Sequence, residues 1–172
     1  DAIMFGNEND RPYQLTVDTA STAAAAYIIG ELKKEIQIPF GVDMLWDPMA
    51  TIALGTATKA NFVREIFTGT YSSDMGIWAP DAGKALRYRK NLGSEEMLLF
   101  FNISAEFAYS QDRRSLSDRA RSVVFSSLPD AILVSGQITG EAASINDLIS
   151  VKKTLPNTPV LANTGVKNDT VT

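Results

Sequence analysis

Short apolar runs alternate with helix-length segments along the whole chain. The runs are rich in β-branched and aromatic residues, and each gives way to a polar loop. This pattern predicts strands over Ala2–Phe5, Pro39–Met44, Phe62–Phe67, Met97–Ile103, Ala131–Ser135 and Pro159–Ala162. Their spacing averages roughly 32 residues, the size of a βαβ unit. Helices are expected over Asp18–Ile36, Pro48–Lys59, Ala82–Leu92, Ser117–Leu128 and Ile145–Leu155. Asp18 and Asp47 stand where N-caps belong, Pro48 suits a first helical position, and Gly93, Pro129 and Pro156 are stops. Asn168 and Asp169 read as the start of one more helix.

Alternating strands and helices imply a parallel sheet, either open and doubly wound or closed as a (β/α)8 barrel. No G-x-G-x-x-G follows a strand, so the dinucleotide fingerprint is missing. Polar residues recur just past the strands: Asn7 and Glu8, Asp43 and Trp46, Thr68 and Gly69, Asn102, Ser135 and Gly136, Asn163 and Gly165. A barrel gathers such positions at its C-terminal mouth. A full barrel typically needs about 250 residues and eight strands. The chain is therefore expected to be one domain, a partial (β/α)8 barrel of about six βα units, with both ends cut.

Bulk composition narrows the chemistry. Among 172 residues with net charge −4 there is no cysteine and no histidine. Disulfides, thiolate metal sites, Ser-His-Asp and Cys-His catalysis and imidazole ligands are thereby excluded within these residues. Acid–base work falls to Asp, Glu, Lys or Tyr. The acidic balance argues against nucleic acid as a partner, and no apolar run is long enough to span a bilayer. A cytoplasmic location and a homo-oligomeric state are the expectations.

The strand at residues 62–67 carries Arg64 and Glu65 side by side. Neighbours on a strand point to opposite faces, so one charge is expected in the barrel interior and the other toward the helices. Two readings stand. Arg64 points inward to hold a phosphate or carboxylate, with Asp43 and Asn102 or Glu106 as neighbours. Alternatively it forms an interior ion pair that fills the barrel, with Glu65 bonded to a helix. Asp43 is a candidate base, or a ligand for Mg²⁺, whereas Asp47 reads first as a helix cap.

The run TGTYSSDMGIWAPDAG is expected to be a long loop, a lid in which Tyr71 could stack on a ligand, or else ordinary rim packing. Asn7, Glu8, Trp46, Thr68 and Gly69 would line the mouth beside it. In the segment from Asp130 to Gly165, Ser135, Gly136, Thr139, Gly140, Asn163 and Gly165 form a candidate anion site through exposed N–H groups. Glycines needed for left-handed turns would look the same. The arginine-rich QDRRSLSDRAR has interleaved acids and reads as a solvated helix entry.

Together, PFGVDMLWDP, FVREIFTGTYSSDMG, PDAILVSGQITG and TPVLANTG resemble the BtpA/SgcQ family, and within it the SgcQ-like branch, over essentially the whole chain. The resemblance implies a ribulose-phosphate-binding-type (β/α)8 barrel in which the six strands are the second through seventh. The first strand, with its His-Leu motif, and the eighth would lie outside this sequence. Where BtpA-branch members tend to carry an Asp and a Lys, this chain reads FFNISAEFA, with Asn102 and Glu106. The function implied is an enzyme of sugar or nucleoside metabolism acting on a small phosphorylated or polyol ligand. Asp43, Arg64, Asn102 and Glu106 would carry the polar chemistry. The alternatives are a non-catalytic assembly factor, as in photosystem I biogenesis, or a ligand-binding regulatory barrel.

Overall fold

A computed structural model describes residues 1–167, so the helix start expected at Asn168 and Asp169 lies outside the described residues. The fold is α/β. Strands β1 (Ile3–Gly6), β2 (Phe40–Asp43), β3 (Phe62–Glu65), β6 (Leu98–Asn102), β8 (Ala131–Val134) and β9 (Val160–Ala162) follow one another in that order in a six-stranded sheet. Five α-helices are described: α1 (Thr19–Leu32), α2 (Pro48–Thr58), α3 (Ala82–Asn91), α4 (Leu116–Ser127) and α5 (Ile145–Thr154). A short 3₁₀ turn, Lys33–Glu35, extends α1. Each expected strand and helix is present, with ends shifted by a few residues.

The chain divides into two compact units. The first comprises Asp1–Phe67 and Pro80–Leu99. In it β1 and β2 pair in parallel with Gly6 opposite Asp43, and β2 and β3 pair in parallel with Val42 opposite Val63. Val42, Met44, Ile52, Leu54, Val63 and Phe67 form its buried core. Helix α2 sits close because Gly55 has no Cβ; one there would stand 2.5 Å from Met97 Sδ and 2.8 Å from Val63 Cγ1.

The entry to α2 explains Asp47. Its Oδ1 accepts the amides of Met49 and Ala50, each at 3.0 Å, ahead of Pro48 at the first helical position. Its Oδ2 accepts the Val17 amide at 3.0 Å, tying the loop before α1 to the same cap. Asp47→Ala is expected to lower stability by about 1–2 kcal/mol, read as a lower urea midpoint with unchanged slope.

The second unit comprises Thr68–Ala79 and the chain from Phe100 onward. Here β6 and β8 pair in parallel with Asn102 opposite Leu133, and β8 and β9 pair with Val134 opposite Ala162. Phe101, Ile103, Ile132, Leu133, Val134 and Val151 are buried. One expectation is corrected. The run after β3 is not an open loop but two strands, β4 (Tyr71–Ser73) and β5 (Gly76–Trp78). With β7 (Ala108–Ser110) they make an antiparallel sheet ordered β5-β4-β7. The tight turn is allowed by Gly76 at φ 101°. No helix separates β4 and β5 from β3, or β7 from β6, so the alternation of apolar runs and helices does not reveal them.

Candidate functional site

The polar residues of each unit fall at the C-terminal ends of its parallel strands, the end where α/β sheets of this kind bind ligands. In the first unit, Asp43 closes β2 and Arg64 and Glu65 close β3. The register that sets Val42 opposite Val63 carries Asp43 next to Arg64. Arg64 Nη2 lies 3.0 Å from Asp43 Oδ2 and 3.5 Å from Glu8 Oε1. Asp43 has no exposed surface, and Arg64 only 7%. A buried guanidinium needs such a counter-charge, because an unpaired ion in that position costs several kcal/mol. Gly6 leaves the row open on the other side of Asp43: a Cβ on it would stand 3.9 Å from both Asp43 Cβ and Glu8 Cγ.

Glu65 does not turn to a helix. It is 2% exposed, and its Oε1 accepts the amide of the next residue, Ile66, at 2.5 Å. Burial, then the carboxylate of Asp43 beside it and a side-chain hydrogen bond with Asp43, push the Glu65 carboxyl well above the usual carboxylate range. Both neighbours on β3 thus address Asp43. Glu65 is the last strand residue, and the Ile66 amide bonded to its Oε1 holds the side chain at the strand end.

The other mouth candidates of this unit are structural in their contacts. Asn7 Oδ1 accepts the Leu45 amide at 2.8 Å, anchoring the loop after β2. Trp46, at φ 34°, is buried edge-on against Tyr13 with ring centroids 4.7 Å apart.

In the second unit Asn102, Ser135, Asn163, Glu106 and Thr139 form one network. Asn102 Nδ2 and Asn163 Nδ2 donate to Ser135 Oγ at 2.8 and 2.7 Å. Asn163 Nδ2 also donates to Glu106 Oε1 at 3.2 Å, and Thr139 Oγ1 donates to Glu106 Oε2 at 2.6 Å. Ser104, which the sequence did not single out, links the ends. Its amide donates to Asn102 Oδ1 at 3.0 Å, and its hydroxyl accepts the Ser135 amide at 2.7 Å. The only sequence cue is the Asn-x-Ser spacing, which suits a local side-chain turn.

The glycines here serve close backbone approach. The Gly136 amide donates to Thr164 Oγ1 at 2.8 Å, and Thr164 Oγ1 donates in turn to Glu141 O at 2.6 Å. A Cβ on Gly136 would lie 2.4 Å from Glu141 O, and one on Gly165, at φ 66°, would lie 2.3 Å from Ala142 N. Gly140, at φ 91°, sits in open space.

Tyr71 is packed rather than presented. It is 2% exposed and stacked on Trp78 with centroids 4.7 Å apart, and burial pushes its hydroxyl up to about 12. Its ring edge also fills the space over Gly69, whose φ of 102° needs glycine. Thr68, half-buried, opens that turn. Among the described residues no group of three Asp or Glu side chains is arranged to hold a metal ion, and no helix is long and apolar enough to cross a membrane.

Comparisons place these residues among relatives. The chain is 47% identical over 166 residues to the sgc region protein SgcQ of Escherichia coli, covering 96% of this chain and 62% of that protein. It is 34% identical to an uncharacterised protein of Archaeoglobus fulgidus, over 96% of this chain and 66% of that one. It is 27% identical to the photosystem I biogenesis protein BtpA of Synechocystis, over 99% of this chain and 60% of that protein. The chain therefore spans roughly three-fifths to two-thirds of the length of these relatives. No solved structure matches it. With the BtpA family model matching residues 1–172 from end to end, the chain belongs to the BtpA family.

Proposed function

We propose that the strands are six of the eight in a (β/α)8 barrel, and that the barrel is an enzyme acting on a small polyhydroxylated, sugar-like substrate at its C-terminal mouth. The observation that carries this reading is the clamp on Arg64. Its Nη2 already faces Asp43 at 3.0 Å and Glu8 at 3.5 Å. A phosphate arriving there would compete with two carboxylates for one guanidinium. A hydroxyl would not, since carboxylates accept from it and the guanidinium donates to it. Asp43 is the candidate base, with the Arg64 guanidinium 3.0 Å away as its counter-charge.

The network of the second unit has the same bias. Glu106 is an acceptor, and Ser135 Oγ, accepting from two amides, keeps its O–H as a donor. Donors and acceptors fixed in this way recognise polyols in preference to anions. Set against the notion of a phosphorylated ligand, these groups favour the uncharged polyol.

The test is calorimetric titration with aldoses, alditols, sugar phosphates and inorganic phosphate. Saturable binding of an aldose or alditol, weakened at least tenfold by Asp43→Asn, is the expected result. Binding of inorganic phosphate alone, or polyol binding indifferent to Asp43→Asn, would overturn the proposal.

A further inference from the structure

We propose that Glu65 remains a neutral acid in the folded protein at neutral pH and shares its proton with Asp43, so that the two act as one acid–base pair with Arg64 as its counter-ion. The inference deepens the reading of the same site, and rests on it only for the use made of the proton.

Glu65 Oε1 is occupied by the Ile66 amide at 2.5 Å. Glu65 Oε2 is buried and, were the group a carboxylate, would have no donor facing it. That arrangement is costly for an ion and ordinary for an acid, whose O–H brings its own donor. The carboxyl beside it is that of Asp43. Two carboxylates cannot hydrogen-bond to each other; a carboxylic acid and a carboxylate can, and a buried pair keeps one proton for that reason.

Charge balance points the same way. Arg64 on β3 faces the pair with Nη2 3.0 Å from Asp43, and Glu8 in the loop after β1 reaches Arg64 at 3.5 Å. The Arg64 guanidinium already faces the buried carboxylate of Asp43, and a second ionised carboxyl in the same buried space would set like charges side by side. Burial raises the affinity of Glu65 for its proton, and the charge on Asp43 adds to it, whereas the influence of Arg64 in the opposite direction is smaller.

The pair at rest then holds one proton and one negative charge. When Asp43 takes a proton from a bound hydroxyl, the pair holds two protons and is neutral. The substrate oxygen carries the negative charge as an alkoxide beside the Arg64 guanidinium. Returning the proton reverses both changes. Glu65 is in this sense a positioning residue, acting through Asp43.

Infrared spectroscopy of the chain in D₂O tests this directly. At neutral pH ordinary carboxyls are ionised, so a protonated one stands alone in the carboxylic-acid C=O window. One such band per chain is expected at neutral pH. Glu65→Gln should abolish it while keeping a neutral side chain that can donate to Asp43. Asp43→Asn should move the band without removing it. Absence of the band from the unsubstituted protein, or its survival in Glu65→Gln, would overturn the inference while leaving the polyol titration untouched. If Glu65→Gln fails to fold, ¹³C-carboxyl glutamate labelling of the unsubstituted protein gives the same decision. One resonance should stay in its protonated position through pH 7, and none doing so would refute the assignment.

Stability against pH is the second readout. With the folded-state affinity raised, the contribution of Glu65 is fully present below its ordinary value of 4.5 and is lost as pH rises through its raised value. Across that window the unfolding constant of the unsubstituted protein, relative to that of Glu65→Gln, should rise by up to tenfold per pH unit. A flat ratio would count against the shared proton.

Discussion

Arg64→Met is expected to destabilise the protein by about 3–5 kcal/mol, the cost of breaking a buried ion pair by removing one partner. Methionine keeps much of the volume, so the loss is electrostatic rather than a cavity. Asp43, with no exposed surface, would lose the guanidinium at 3.0 Å that offsets the burial of its carboxylate. Glu8 would lose little, since its side chain is 44% exposed and water can replace the guanidinium 3.5 Å away. Asp43→Asn in the Arg64→Met background should recover most of the loss, because the pair is then replaced by neutral groups. Urea unfolding measures both, with midpoints moving at constant slope. A cost below about 1 kcal/mol for Arg64→Met would mean that Asp43 reaches water and that the pair behaves as a surface salt bridge. The same variant bears on function: if Arg64 and Asp43 hold a substrate hydroxyl together, Arg64→Met should weaken any polyol binding that Asp43→Asn weakens.

Phe101→Ala is the largest expected loss in the second unit, about 3–5 kcal/mol. Phe101 has no exposed surface. It precedes Asn102 on β6, and alternation sends the two side chains to opposite faces. Truncating the ring therefore leaves a cavity behind the strand that presents Asn102. The hydrogen bond from Asn102 to Ser135, 2.8 Å long, depends on that strand end holding its place. Amide exchange at Ser104 and Ser135 should accelerate along with the global loss, since their amides close the same network. Phe125→Ala is the control: that ring is 89% exposed, and its removal should stay within about 0.5 kcal/mol. Equal losses at the two positions would contradict the packing described here.

The strands and helices of the parallel sheet were legible because apolar runs and capped helices recur in strict alternation along the chain. Asp18 before α1, Asp47 before Pro48 and Leu128 before Pro129 mark boundaries through local hydrogen bonds and backbone conformation alone. The antiparallel sheet β5-β4-β7 was not legible. Its central strand pairs with Ala108–Ser110, more than thirty residues away, and no helix sets it off from β3 or β5. Tyr71 and Trp46 show the same limit. As residue types they suit a ligand-stacking lid and a mouth; burial against Trp78 and Tyr13 makes them packing groups.

By itself the sequence determined the α/β class, the order of its elements, the family, and the placing of Asp43, Arg64, Asn102, Ser135 and Asn163 at strand ends. These follow from local periodicity, caps and spacing, which the chain carries along its length. Only the tertiary structure decided what those side chains face. It turned Glu65 from the helices to Asp43, closed Arg64 between Asp43 and Glu8, and filled the space over Gly136 and Gly165 with backbone. The physical reason is that burial and counter-charge belong to residues brought together from β1, β2 and β3, or from β6, β8 and β9. No single stretch of the chain contains them.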